Sequence, residues 1–215
     1  ILNPANGAPV TVPSQDMVLG LYYITKLRPG SKGSGLTFYG PEEALIAFNE
    51  KRVDVHAPVK VLVDDIDENG AKIKHIVETS VGRIIVNGII PDECGYINCV
   101  VAKKSLRDII SKVIKTVGMA RACEFLDGIK NLGYRKAYEG GLSFNLGDII
   151  IPDEKADIVK RGNEEVEQIT MNYNMGFITD NERYNQVIDT WTHVNTDIKK
   201  TLMKQMTEAD QGFNA

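Results

Sequence analysis

The sequence has few cysteines, one tryptophan and no long apolar run. Its 215 residues include three Cys and one Trp. No stretch approaches the roughly 20 apolar residues that span a bilayer, so nothing points to a membrane protein. No basic start leads into an apolar run, so no signal peptide is expected. Cys94, Cys99 and Cys123 are an odd set that fits no secreted disulfide framework, and a reducing, cytoplasmic setting is the simpler expectation. Internal repeats and low-complexity tracts are also missing. What is present is ordinary for a folded chain: 43% hydrophobic and 25% charged residues, which exclude disordered and collagen-like classes. The length allows one large or two small domains. The chain starts at Ile1 with no cap and no polar lead-in. That start reads as a cut edge and suggests a piece of something larger.

The formal net charge of −4 is unevenly spread. Residues 1–151 hold 18 Lys and Arg against 17 Asp and Glu, and residues 152–215 hold 7 against 12. A nearly neutral body thus precedes an acidic segment, which suits basic protein partners better than DNA. A net negative chain is a poor candidate for gripping nucleic acid by itself.

The expected fold class is α+β: a mixed domain over residues 1–147, then a long antiparallel helical hairpin of coiled-coil type over 148–215. Ser14 with Asp16 signals a helix running to about Thr25, capped by Ser14. Pro41, Glu42 and Glu43 open a second helix. Val59–Val63 and Lys72–Val77 alternate as strands of a β-hairpin with an Asn69-Gly70 turn. Thr79–Ile90 is ambiguous between strand and short helix. Helices are expected over Lys103–Val117 and about Ala120–Asn131, with Gly-rich loop over Tyr138–Leu146. Pro152 at the first helical position opens the first arm of the hairpin, with Ile158, Gly162, Val166, Ile169 and Tyr173 in one stripe. Asn174-Met175-Gly176 stops it. Thr179 and Glu182 form a capping box for the second arm. The second stripe is Tyr184, Val187, Ile188, Trp191, Val194, Ile198 and Leu202.

Most chemical motifs fail on inspection. Asp65, Asp67 and Asn69 resemble the first half of a calcium loop, but its twelfth position is Ile76 instead of Glu. Cys94 and Cys99 have no histidine at zinc-finger spacing. Gly30, Lys32, Gly33 and Gly35 hint at phosphate without forming a P-loop. His56, His75 and His193 are far apart, and structural or solvent-facing roles are the default. No nucleophile elbow or paired-histidine helix occurs. The residues by themselves contain no complete active site, which favours an interaction module over a free-standing enzyme. A small hydrolase is the weaker alternative.

A resemblance supplies more. Ile1 to Pro9 and Val12 to Tyr23, with the block Pro13-Ser14-Gln15-Asp16, resemble bacterial multisubunit RNA polymerase beta-prime subunits. The likeness continues through Thr79-Ser80-Val81-Gly82-Arg83, then Gly176-Phe177-Ile178-Thr179, Glu182-Arg183-Tyr184-Asn185, Val187-Ile188-Asp189 and Trp191. In that family the first stretch follows the Asn-Ala-Asp-Phe-Asp-Gly-Asp signature. The resemblance implies a pore domain that walls the secondary channel, then a funnel rim. It implies a nucleotidyltransferase of transcription whose catalytic and magnesium-holding aspartates lie outside this chain, so that the 215 residues alone are inactive and hold no cofactor or metal. Pro13 and Gln15 would line the active-centre end of the pore, where Gln15 either positions a nucleotide or merely supports its own helix. The tip, Asn174, Met175, Phe177, Ile178, Thr179, Asp180 and Glu182, would be the dock for transcript-cleavage factors. The alternative for Phe177 and Ile178 is that they staple the two helices. Partners would be the beta, alpha and omega subunits, the rest of beta-prime, incoming nucleotides and the RNA 3′ end, with no membrane. Some members bind guanosine tetraphosphate at two places. One matches Asp127 and Asn131, and the other matches Tyr184, Asn185, Gln186 and Asp189. Gln186 replaces a lysine and Asn131 a tyrosine, so both sites are expected to be degenerate.

Overall fold

The computed structural model describes residues 3–5, 7, 9–67, 70–143 and 145–208. Contacts divide the chain into two units, Ile1–Leu142 and Ser143–Ala215.

The first unit combines a small sheet with four helices. Helix α1 is Asp16–Thr25, strand β1 Thr37–Phe38, helix α2 Pro41–Asn49, strands β2 Pro58–Ile66 and β3 Lys72–Ser80, helix α3 Val81–Asn87 and helix α4 Lys103–Gly140. The sheet order is β1-β2-β3. The β2–β3 pair is antiparallel, with Val61 opposite Val77 and Val63 opposite His75. Alternation along β2 puts Val59, Val61 and Val63 inward, against Ala44, Val53 and Ile84. The hairpin closes through the Asp67 N–H, which donates to the Ala71 carbonyl at 2.9 Å. Asn69 of the expected turn lies outside the described residues. The ambiguous stretch after Thr79 resolves into α3, capped by Ser80.

A second core is helical. Leu21 and Ile24 of α1 meet Leu106, Ile110, Val113, Phe125 and Ile129 of α4. The helices cross where neither has a side chain. A Cβ on Gly20 would lie 2.1 Å from the Gly133 carbonyl oxygen, and one on Gly133 would lie 2.5 Å from that of Met17. Helix α4 breaks at Gly118, whose φ of 78° and ψ of 178° are not helical. The two helices expected here are therefore two segments, and the second runs on to Gly140 instead of stopping near Asn131. Gly133 is part of the α1 contact, and Arg135 and Lys136 pair with Glu139 over the next turn.

Two helix starts differ from expectation. The N-cap of α1 is Gln15, not Ser14, and no side chain caps it. In the second unit, helix α5 is Lys155–Asn174 and helix α6 Asp180–Glu208. Pro152 is not the first helical residue of α5. It lies in a preceding turn whose carbonyl accepts from the Lys155 N–H at 3.1 Å. The two helices pair antiparallel, with Gly162 against Val194 and Trp191. Only Ile158, Gly162 and Ile169 of α5 and Thr190 of α6 are buried. Among the described residues no helix is long and apolar enough to cross a membrane.

Candidate functional site

The connector between α5 and α6 is built from two interlocking caps. Gly176, at φ 78°, donates its N–H to the Tyr173 carbonyl at 2.9 Å, and the Phe177 N–H reaches the Asn172 carbonyl at 3.0 Å. This is the paired-bond pattern that ends a helix on a left-handed glycine. Two residues later the capping box forms. The Thr179 N–H donates to the Glu182 carboxylate at 2.8 Å, and the Glu182 N–H donates back to the Thr179 hydroxyl at 3.3 Å. The Thr179 N–H, with the Thr179 hydroxyl that also donates to the carboxylate at 2.9 Å, holds the Glu182 carboxyl below the usual carboxylate range. Asp180 accepts from Arg183 at 2.7 Å, and the Arg183 guanidinium sits 5.2 Å from the Tyr173 ring centre. The N–H groups of Met175, Gly176, Phe177 and Thr179 are thus bonded within the turn, and the side chains of Met175 and Phe177 take no part in it.

Those side chains face solvent. Phe177 is 74% exposed and Met175 58%, while Ile178 is half-buried. The staple reading therefore fits Ile178 and not Phe177. Along α6, Tyr184 and Ile188 are also exposed although they belong to its apolar stripe, and Trp191 is part-exposed while one edge of its ring faces Gly162. The stripe is wider than the seam it supplies, since of its members only Val187, Val194, Ile198 and Leu202 are partly shielded, with Thr190 buried beside them.

In the first unit, Pro13 is buried and Val12 packs on the helical core. Gln15 is exposed and has φ 53° and ψ −127°, a backbone region that glycine tolerates and other residues rarely enter. Such a conformation costs roughly 1–3 kcal/mol and is held only where the surroundings over-determine it. Here the buried Pro13 on one side and α1 on the other fix the ends of the strained step.

Arg83, the last residue of the Thr79–Arg83 block, has a structural role. Arg83 is buried and belongs to α3, which starts where Gly82 lies on α1; a Cβ on Gly82 would come 1.7 Å from the Ile24 carbonyl oxygen. Its Nε donates to the Thr25 carbonyl at 3.0 Å and its Nη1 to Asn98 Oδ1 at 2.7 Å. Asn98 in turn donates to the Glu78 carbonyl, and the Thr25 hydroxyl accepts from the Val101 N–H. Burial lowers the Arg83 pKa from its usual value. Thr25 and Asn98 carry no motif signal. Only the return of the 95–101 loop to α1 reveals them.

The remaining candidates are structural or dispersed. Asp65 Oδ1 accepts from the N–H groups of Ile66 and Tyr96 at 2.7 and 2.8 Å, so it ties the hairpin to the loop after α3. In the Gly30–Gly35 loop, the Gly35 N–H is taken by the Pro58 carbonyl and the Ser34 N–H by that of Ser31, so neither is aimed at a ligand. His56 is buried with its ring edge-on to Tyr23, and burial lowers its pKa. Cys94 is buried, and Cys99 and Cys123 are exposed, all as free thiols. Asp127 and Asn131 lie one turn apart on the exposed side of α4, and Asp127 is occupied by Lys130 at 2.9 Å. Tyr184, Asn185, Gln186 and Asp189 share the exposed surface of α6, where Asp189 is 3.6 Å from His193. No lysine or arginine stands among those four residues. Among the described residues no group of three His, Cys, Asp or Glu could hold a metal ion.

Comparison with known proteins places this architecture. Residues 1–149 match the family described as RNA polymerase Rpb1, domain 3, and the chain belongs to that family. Among its relatives are proteins named DNA-directed RNA polymerase subunit beta′. That of Phocaeicola vulgatus is 73% identical over 216 residues, that of Bacteroides fragilis 72% over 215, and that of Flavobacterium psychrophilum 51% over 220. Each match takes in the whole of this chain and 15% of the relative.

Proposed function

We propose that this chain is a section of the beta-prime subunit of a bacterial DNA-directed RNA polymerase, working in transcription as part of that nucleotidyltransferase. In this reading the first unit is the pore wall of the secondary channel, through which nucleotides enter and the backtracked RNA 3′ end leaves. The second unit is the channel rim on which transcript-cleavage factors dock. The support for the enzyme class is the 73% identity to a protein of that name over the full chain. The observation that carries the docking role is the tip itself, where satisfied caps hold Met175 and Phe177 out in solvent. An exposed aromatic on a rigid turn is a low-entropy anchor for a partner's apolar pocket. Next to the buried Pro13, Gln15 holds a strained backbone and an exposed side-chain amide, with one acceptor and two donors, which in this reading faces the channel. Magnesium, the catalytic aspartates and contacts with the beta, alpha and omega subunits belong to the whole enzyme in this reading. The rim set around Gln186 and the pair Asp127 and Asn131 bind guanosine tetraphosphate poorly. Tight binding that Asp189→Ala abolishes would reverse that reading for the rim.

The test is a titration of the assembled polymerase with a cleavage factor, repeated with Met175, Phe177 and Ile178 changed to Ser. The docking role predicts at least a tenfold weaker Kd, about 1.4 kcal/mol, with elongation unchanged. Equal affinity in both enzymes would sink it.

A further inference from the structure

The two segments of α4 treat their cations differently. In the second, Arg121 pairs with Glu93, Lys130 with Asp127, and Arg135 and Lys136 with Glu139. The first, residues 103–117, carries Lys103, Lys104, Arg107, Lys112 and Lys115 against the single acid Asp108. All five cations are exposed, while Leu106, Ile109, Ile110 and Val113 enter the core. Among the described residues, none of the five makes an ion pair with a carboxylate. Lys103 and Lys104 also occupy a first turn without an acidic residue, where the helix dipole disfavours cations. Neither core packing nor local pairing accounts for this stripe.

Its dimensions favour one kind of ligand. From Lys103 to Lys115 the helix rises about 18 Å at 1.5 Å per residue. A nucleic-acid strand advances about 3.4 Å per phosphate, so the stripe matches about five phosphates and exceeds a single nucleotide. The exposed face includes no aromatic residue for stacking and no Asn or Gln for reading base edges.

We propose that the exposed face of residues 103–117 is a sequence-independent contact for the phosphate backbone of a nucleic-acid strand. It follows from the charge pattern, independently of the rim reading. A photoreactive phenylalanine at the exposed Thr116, one turn from Lys112, tests it in transcribing, assembled polymerase with either the RNA or the DNA labelled. A crosslink to a labelled strand is expected, and the label identifies which strand. The crosslink should fall at least tenfold when Lys103→Gln, Lys104→Gln, Arg107→Gln, Lys112→Gln and Lys115→Gln are combined, and should return with arginine at the four lysine positions and Arg107 kept. No strand crosslink, a crosslink only to free nucleotide or to another subunit, or one indifferent to the glutamines would overturn the proposal.

Discussion

In the first unit Leu21, Ile110 and Val113 are fully buried, and α1 and α4 touch backbone to backbone at Gly20 and Gly133. In the second, Ile158 and Ile169 are the buried aliphatics, and Phe177, Tyr184, Ile188 and Met203 lie in solvent. One region hides its apolar residues to hold a shape, and the other uses a minimal seam to display them. Interior packing tolerates little added volume, whereas an exposed side chain is free to serve recognition. Substitutions should therefore sort by region: changes in the first cost stability, and changes at the tip of the second cost binding.

The largest effect is expected at Gly82. Its Cβ would collide with the Ile24 carbonyl at 1.7 Å, and backbone cannot step aside as a side chain can. Gly82→Ala should destabilise the first unit by about 3 kcal/mol or more, read from the denaturant midpoint. Next is Arg83→Met, which leaves the Thr25 carbonyl and Asn98 without their charged donor, for about 2–3 kcal/mol. The same glycine-to-alanine change in the hairpin should be mild. At Gly162 the one close approach of the new Cβ is to a Val194 methyl at 2.7 Å, a side chain that can turn aside, and helix propensity gains about 1 kcal/mol, so Gly162→Ala should shift stability by under about 1 kcal/mol. A loss at Gly162 as large as at Gly82 would break the contrast. Removing the cap with Thr179→Ala should cost about 1 kcal/mol, confined to the hairpin. The smallest effect is in pH. Because Glu182 titrates below its usual range when folded, its contribution is present above the ordinary carboxylate pKa and is lost as pH falls through the folded value. Glu182→Gln should flatten that acid limb in a pH series of hairpin melting.

How far the sequence foretold this differs between local and long-range features. Four residues, Thr179 to Glu182, were enough to read the capping box, because both its bonds are local. The β2–β3 pairing was legible from alternation, and the expected gap between helices ending at Val117 and starting near Ala120 brackets the break at Gly118. Ser14 and Pro152 misled because a capping residue type is necessary for a cap but does not force one; the turn before α5 takes Pro152, and Gln15 takes the strained step before α1. The Gly20–Gly133 crossing joins residues 113 positions apart and the Arg83–Thr25 bond residues 58 apart, and no local pattern encodes such contacts. The basic stripe on α4 was hidden by averaging, since 18 cations against 17 acids conceal a segment with five against one. At the tip, sequence named Phe177 but could not choose between staple and anchor; its 74% exposure favours the anchor.

Hydroxyl-radical footprinting of the polymerase with and without a bound cleavage factor tests the central claim most directly, because Met175 and Phe177 are exposed sulfur and aromatic side chains. The docking account predicts that the factor suppresses oxidation of both while leaving the first unit unchanged. Protection confined to the first unit, with Met175 and Phe177 oxidised as fast as before, would contradict it.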